Sequence, residues 1–481
     1  MAVEGRPVRA RSRRRRRSDQ PQPDNRLALL DHAFFTGQRA TNQDQVLQVV
    51  WVYEHALNFD GLQRFHHYLG RGLLARRIER SPLPFARHRW VSNAEQPGIE
   101  VAEHARPRAE VSDWADERSQ LPIDPEAGPG WHLGVLPLED GATAVTLVVS
   151  HYLIDGLGLI VALIDALMGE TRDLGLPPPR SRTPLRAAAH DARKVAQDIP
   201  EATRALRTVT RLARQHRREL AAAARLARRH REEIVRSPAS PPAASPDAGA
   251  SGDLVIVPAV TIHVGLEHWD ARAAALNGTS KALFAGFTAK LGERIGRRGD
   301  DGAITLQLPV STRTEGDTRG NAMTVARVTV DPTQVTTDLS SVRATIKQEL
   351  SNLTETSDAP PHLWLTQFAP KRALRRLSSV MVVGDTGSPI FCSNLGDVGT
   401  IIRRLDGTDA EYATARAVGQ HLTRQWLEET GGLMRLQGWR IGGKFGISVI
   451  AYQPGAANTR DALREMVALT LADFGLTGQI D

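Results

Sequence analysis

The sequence predicts an α/β layered protein built from two lobes, and three observations lead there. Strand-like and helix-like segments alternate in both halves of the 481-residue chain, a pattern that favours mixed layers over a pure bundle or a pure sandwich. A stretch at 237–253, SPASPPAASPDAGASGD, has the composition of a linker. A chain of 481 residues also exceeds the size at which one hydrophobic core keeps growing. The expected division is an arginine-rich tail (1–25), an N-terminal lobe (26–180), a basic helical strut with the linker (181–253) and a C-terminal lobe (254–481).

Taken in order, residues 6–17 (RPVRARSRRRRR) hold eight arginines and no acid, which reads as a tail with non-specific affinity for polyanions rather than a fold. Aromatic residues make up only 5% of the chain and no reading motif accompanies the arginines, so a specific nucleic-acid partner is not expected. Apolar periodicity begins at Leu27. Gln45 to Tyr53 (QVLQVVWVY), rich in β-branched and aromatic residues, predicts a strand, and apolar residues at helical spacing predict a helix over Phe59 to Ile78. Trp131 to Leu138 and Ala142 to Val149 predict a hairpin around Asp140-Gly141. Leu157 to Met168 predicts a buried helix. The apolar run from Ala144 to Gly169 is long enough to span a bilayer, but His151, Asp155 and Asp165 interrupt it, so a buried strand and helix account for it better.

The segment from Pro184 to about Arg236 is dominated by Ala, Arg and Leu, with Pro200 dividing it into two candidate helices. Leu206, Val209, Leu212, Leu220 and Leu226 give it a thin apolar stripe, suited to a surface helix, an interlobe strut or a membrane-surface element. Beyond the linker, strands are expected over Leu254 to Val264, Ile304 to Val310, Ala322 to Val330 and Gly446 to Tyr452, with an amphipathic helix over Lys281 to Ile295.

Apolar residues are 41% and charged residues 24% of the chain, ordinary values for a globular protein. Cys392 is the only cysteine, and the N-terminus shows no apolar signal segment. Both features fit a reducing, cytoplasmic setting, with the basic segments able to meet the inner face of a membrane. The run GWRIGGK (438–444) imitates a phosphate-binding loop, yet Phe445 follows where Ser or Thr would hold magnesium, and a strand pattern follows where a helix should start. It reads as a glycine turn. His66-His67 has no acid at a ligand offset, and neither HExxH nor CxxC occurs, so no metal is expected.

The chemistry concentrates at Ser150-His151-Tyr152-Leu153-Ile154-Asp155-Gly156, on the expected strand-to-helix turn. An imidazole there can take a proton from an alcohol or amine near neutral pH. Asp155 would order the turn and Gly156 would give it conformational freedom. The alternative for an isolated His with an Asp four residues on is a structural His-Asp pair.

This stretch resembles the HHxxxDG signature of the coenzyme A-dependent acyltransferase superfamily, which includes wax ester synthase/diacylglycerol acyltransferases, polyketide-associated acyltransferases and nonribosomal condensation domains. GWHLGVLPLEDGATAVTLVVSHYLIDG is similar to the lead-in of the wax ester synthase/diacylglycerol acyltransferase group. LPVSTRTEGDTRGNAMTVARVTV (308–330) is similar to its second-lobe block, PIFCSNLGDVG (389–399) to its crossover segment and GKFGISVIAYQPG (443–455) to its closing strand. Ser150 replaces the first histidine of the signature, while the second, which serves as base in the family, is kept as His151. Ser393-Asn394-Leu395-Gly396-Asp397 departs from the group's usual Ser-Asn-x-Pro-Gly-Pro element.

The resemblance implies two chloramphenicol-acetyltransferase-like lobes with a cleft and tunnel between them. It makes His151, Asp155 and Gly156 the catalytic set and Arg313, Asn321, Ser393 and Asn394 the substrate-side candidates, with Arg313 the arginine expected to pair with Asp155. It implies acyl-CoA, or an acyl carrier thioester, as co-substrate and no tightly bound cofactor. Three functions follow: an O-acyltransferase using acyl-CoA and a hydroxyl acceptor such as diacylglycerol or a long-chain alcohol, a condensation-type enzyme fed by an acyl carrier protein, and a non-catalytic binding protein of the same fold.

Overall fold

The computed structural model describes residues 25–41, 43–93, 95–215, 253–354, 361–369 and 389–481. The arginine run at 6–17, most of the linker, and Leu220 and Leu226 lie outside them.

The first half carries α1 (Leu29–Thr41), β1 (Gln45–Tyr53), α2 (Phe59–Leu69), β2 (Arg76–Glu79), β3 (Arg89–Ser92), β4 (Ile99–Val101), α3 (Val111–Ser119), β5 (Trp131–Pro137), β6 (Thr143–Ser150), α4 (Gly156–Met168) and α5 (Pro184–Gln215). The second half carries β7 (Ala259–Gly265), α6 (Leu266–Ala275), α7 (Ser280–Arg294), β8 (Ile304–Ser311), β9 (Met323–Val330), α8 (Ser340–Thr354) and α9 (Pro361–Phe368). It ends with β10 (Ile390–Asp397), β11 (Tyr412–Gly419), α10 (Arg424–Glu429), β12 (Leu433–Ile441), β13 (Lys444–Tyr452), α11 (Arg460–Asp473) and β14 (Gly478–Ile480).

Two sheets organise these elements. The N-terminal sheet runs β11-β1-β6-β5-β4 and the C-terminal sheet runs β14-β7-β13-β12-β10-β8-β9. In β1, Leu47, Val49, Trp51 and Tyr53 enter the N-terminal core, while Val46, Val50 and Val52 enter clusters on the other face. Cover on both faces is why β1 and β6 read as unbroken apolar runs instead of alternating ones. The C-terminal core gathers α7, α11 and the inward faces of β7, β12 and β13.

One strand crosses between halves. Strand β11, from beyond the boundary drawn at 254, pairs antiparallel with β1 (Gln48 opposite Arg416) and so belongs to the N-terminal sheet. The approach to it is pinned by Trp51 Nε1 donating to the Ile402 carbonyl (2.8 Å) and Tyr53 Oη to that of Arg403 (3.1 Å). Without β11, the buried strand β1 would present an unpaired edge.

Three local expectations differ from the structure. Helix α2 stops at Leu69, where the Gly70 N–H returns to the His66 carbonyl, and Arg76 to Ile78 belong to β2. The first regular strand after the linker starts at Ala259, with Leu254 making only a bridge to Thr423. Pro200 does not divide its segment: α5 is one helix through it. A proline inside a helix costs roughly 3 kcal/mol, and here tertiary contacts offset it. Asp198 bonds Arg26 (3.0 Å), Arg87 (3.3 Å) and Gln367 of α9 (3.2 Å), while Asp191 bonds Arg182 (3.0 Å) and Ser81 (2.6 Å). The strut is thus a helix docked on the N-terminal lobe and α9.

The Gly442-Gly443 pair has positive φ at both positions and joins β12 to β13 as a two-residue hairpin turn. No helix among the described residues is long and apolar enough to cross a membrane.

Candidate active site

His151 follows the last residue of β6, and its backbone N–H donates to the Gln45 carbonyl at 2.9 Å. Ser150 ends the strand opposite Val46, buried, with its Oγ 3.4 Å from the Tyr152 N–H. The position before His151 therefore faces the strand's own packing. The His151 ring lies 5.2 Å from that of Phe34, and Asn321 Nδ2 donates to the His151 carbonyl (3.3 Å).

Burial pushes the His151 imidazole below its usual value and Arg435 pushes it the same way, while its own carbonyl, Asp155 and the Asn321 side chain oppose them. Its Nδ1 has no partner within hydrogen-bonding geometry. A ring that burial keeps neutral can accept a proton.

Asp155 is the N-cap of α4. Its Oδ1 accepts from the Gly158 N–H at 2.7 Å. Its Oδ2 accepts from Arg313 Nη2 (2.9 Å) and from the Ala322 N–H (2.8 Å), and its own N–H donates to the Gly320 carbonyl (2.9 Å). This carboxylate thus fixes the helix start and ties the N-terminal lobe to the loop between β8 and β9. Arg313 donates further to the carbonyls of Asp317, Arg319 and Gly320. Arg313 thus pairs with Asp155 as expected and spends Nη1 and Nη2 on protein, while its buried Nε has no partner.

Asn321 also bonds the protein, with only its buried Oδ1 left without a partner. It is 1% exposed, with its N–H and Nδ2 both donating to Asp31 Oδ1 (2.6 and 3.0 Å). Asp31 of α1 is itself buried and takes the Gly320 N–H on Oδ2 (3.1 Å). Burial raises its pKa against the pull of Asn321 and Arg76. Arg76 lies 4.4 Å over the Trp90 ring and donates to the carbonyls of Leu153 (2.6 Å) and Thr318. Asp31 and Arg76 complete a clamp around the 150–156 turn that the sequence reading missed. The one local signal was an acid inside the apolar run LALLDHAFF.

Gly156 is needed for space rather than for backbone freedom. Its φ is not positive, and an added Cβ would meet Leu395 Cδ2 of the facing lobe at 3.0 Å. Gly156 and Leu395 line a narrow cavity of about 40 Å³ between the sheets, walled largely by apolar side chains such as Leu47, Leu159, Leu163 and Trp439. Ser393 lines a smaller neighbouring cavity. Asn394 does not join it: its Oδ1 accepts from the Gly396 N–H (2.8 Å) at a break in the β10/β12 register. Among the described residues, no group of three or more His, Cys, Asp or Glu is placed to hold a metal ion.

No protein-family description matches the chain, and no curated protein matches it by sequence. Solved structures do. Polyketide synthase associated protein 5 from Mycobacterium tuberculosis superposes with a TM-score of 0.52 at 15% identity, covering 93% of this chain and 98% of that one. A trichothecene 15-O-acetyltransferase from Fusarium sporotrichioides gives 0.55 at 10% identity, covering 93% and 94%. The first condensation domain of the calcium-dependent antibiotic synthetase, in complex with a substrate analogue, gives 0.51 at 14% identity, covering 93% and 95%. The chain therefore has the two-lobed fold of coenzyme A-dependent acyltransferases and condensation domains.

Proposed function

We propose that the protein is an acyltransferase that moves an acyl group from a thioester, acyl-CoA, to a hydroxyl acceptor, with His151 as general base. The observation that carries this reading is the state of His151: a ring that burial keeps neutral, on a turn braced by Asp155, Arg313, Asn321 and Asp31, whose Gly156 lines an apolar cavity formed by both lobes. As the acceptor oxygen attacks the thioester carbonyl, its proton passes to His151. When the tetrahedral intermediate collapses, the carbon–sulfur bond breaks and the proton returns to the leaving thiolate. No acyl-enzyme is needed, and a positioned base of this kind is worth about 10²–10⁴ in rate. Asp155 and Arg313 act by position, holding the turn that aims the ring. The wax ester synthase/diacylglycerol acyltransferase group, suggested by the sequence blocks on both sides of His151, is the subtype we favour.

The test is thiol release from a panel of acyl-CoA donors with alcohol, diacylglycerol and amine acceptors, comparing wild type with His151→Ala. Acceptor-dependent release by wild type alone supports the reading. If no pair reacts, acylated carrier proteins replace CoA as donors, and silence there as well rejects catalysis.

A further inference from the structure

Helix α5 has three lengthwise stripes of different chemistry. Wound at about 3.6 residues per turn, Ala187, Asp191, Asp198 and Ala205 fall on one stripe and are buried, with Asp191 bonded to Ser81 and Asp198 to Gln367 of α9. Leu185, Ile199 and Leu206 fall on a second stripe and are 85%, 50% and 51% exposed. Arg186, Arg193, Arg204 and Arg211 fall on a third, all exposed. The residues between the second and third stripes, Ala189, Ala196 and Thr203, are small and exposed, so the apolar and basic stripes run side by side.

The charges are sorted as well. The helix carries seven lysines and arginines against three acids. Asp191 and Asp198 are taken up by contacts with the lobe, and Glu201 pairs with Arg204 at 2.5 Å, so the outer surface is cationic.

The apolar stripe gains a neighbour from another segment. Gln367 donates to Asp198 (3.2 Å) and to the Phe85 carbonyl (3.1 Å), which brings Phe85 beside the turn that carries Ile199. Phe85 has a φ of 68°, a costly conformation for a bulky residue, and its ring, stacked on Phe368 at 6.5 Å, is 47% exposed. Phe85, Leu185, Ile199 and Leu206 are four of the eleven exposed large apolar side chains among the described residues. Such residues scattered singly need no partner, but gathered along one helix beside a row of arginines they mark an interaction surface.

We propose that this face of α5, together with Phe85, docks the protein onto a bilayer that contains anionic lipid. The helix lies in the plane of the surface, with its arginines among the lipid phosphates and its Leu, Ile and Phe side chains at the acyl boundary. A nucleic acid would engage the arginines and leave the apolar stripe in water, whereas an anionic bilayer takes both. The inference goes beyond acyltransfer and stands without it.

The experiment sediments the full chain with vesicles of phosphatidylcholine alone and of phosphatidylcholine with about one third phosphatidylglycerol, at low and high salt. Wild type is expected to bind the anionic vesicles at least about ten-fold more strongly than the neutral ones. The triple variant Leu185→Ser, Ile199→Ser, Leu206→Ser should lower that binding at least about ten-fold at either salt concentration. The triple variant Arg186→Gln, Arg193→Gln, Arg211→Gln should lower it chiefly at low salt. All six positions are exposed, so both variants should melt with wild type; if the serine variant melts lower, Leu185→Ser alone takes its place. The arginine run at 6–17 is kept throughout. Binding that survives the serine substitutions belongs to that run and overturns the proposal, as does a wild type that binds neither vesicle. A wild-type dimer that the serine variant splits, with no vesicle bound, gives the face to a second copy of the chain and overturns it too.

Discussion

Asp155→Asn should break the joint that holds the turn carrying His151 between the lobes. The asparagine keeps an oxygen for the Gly158 N–H, so the helix cap survives. Its amide nitrogen, however, takes the place of Oδ2 and faces two donors, the Ala322 N–H at 2.8 Å and Arg313 Nη2 at 2.9 Å. Both side chains of the ion pair are under 10% exposed, so solvent cannot replace the lost acceptor. Breaking a buried pair from one side costs about 3–5 kcal/mol. Asp155→Ala removes the cap as well, adding about 1 kcal/mol. Urea denaturation of wild type, Asp155→Asn, Arg313→Met and the double variant gives the coupling directly, expected on the order of 1–3 kcal/mol. Turnover should fall with stability in both single variants, because the turn carrying His151 loses its brace. A loss under about 1 kcal/mol in Asp155→Asn, or additive single effects, would refute the reasoning.

His151→Ala should lower kcat by about 10²–10⁴ and also lower the denaturation midpoint, because the buried ring that packs on Phe34 leaves a cavity; His151→Gln, closer in volume, separates the two effects. Acid should destabilise the fold: burial lowers His151 and takes His132 to about 4 and His32 to about 3. The unfolded chain takes up these protons near pH 6.5 and the folded chain does not. Stability is therefore full above that pH and is lost as pH falls, by up to about 1.4 kcal/mol per unit for each such histidine; denaturation curves at pH 7.5 and 5.5 check the sign. The acid limb of kcat/KM should likewise lie below the ordinary histidine value in wild type. Ile160→Trp, in the wall of the apolar cavity between the sheets, should cut kcat/KM for long-chain donors about ten-fold relative to short ones. Gly158→Ala should mimic the Asp155 variants, since its Cβ would meet Ile154 Cγ1 at 2.7 Å and Arg313 Nη2 at 2.9 Å.

The turn at 150–156 was legible because its strand, its cap and its helix follow one another in sequence, even though the groups that brace it do not. An apolar strand delivers His151, an aspartate caps the helix that follows, and each leaves its mark within a few residues. Gly156 was legible as a position but not as a reason, since the atom it makes room for, on Leu395, is 239 positions away in sequence. Pro200 misled because helix propensity counts the missing N–H but not the ion pairs of Asp191 and Asp198 that hold α5 in place.

By itself, then, the sequence determined the α/β layering, the strands whose buried faces match their pattern, and the strand-to-helix turn that carries His151. Only the tertiary structure decided that β11 completes the first sheet, that Asp31 and Arg76 clamp the turn, and that Arg435, Arg416 and Ser448 line one small cavity between the sheets. In the sequence, Arg435 sits in LMRLQGW like any polar residue on the wet face of a strand. Periodicity tells which side of a strand a residue takes, but whether water or a second lobe lies on that side depends on contacts between distant segments, which no local pattern encodes.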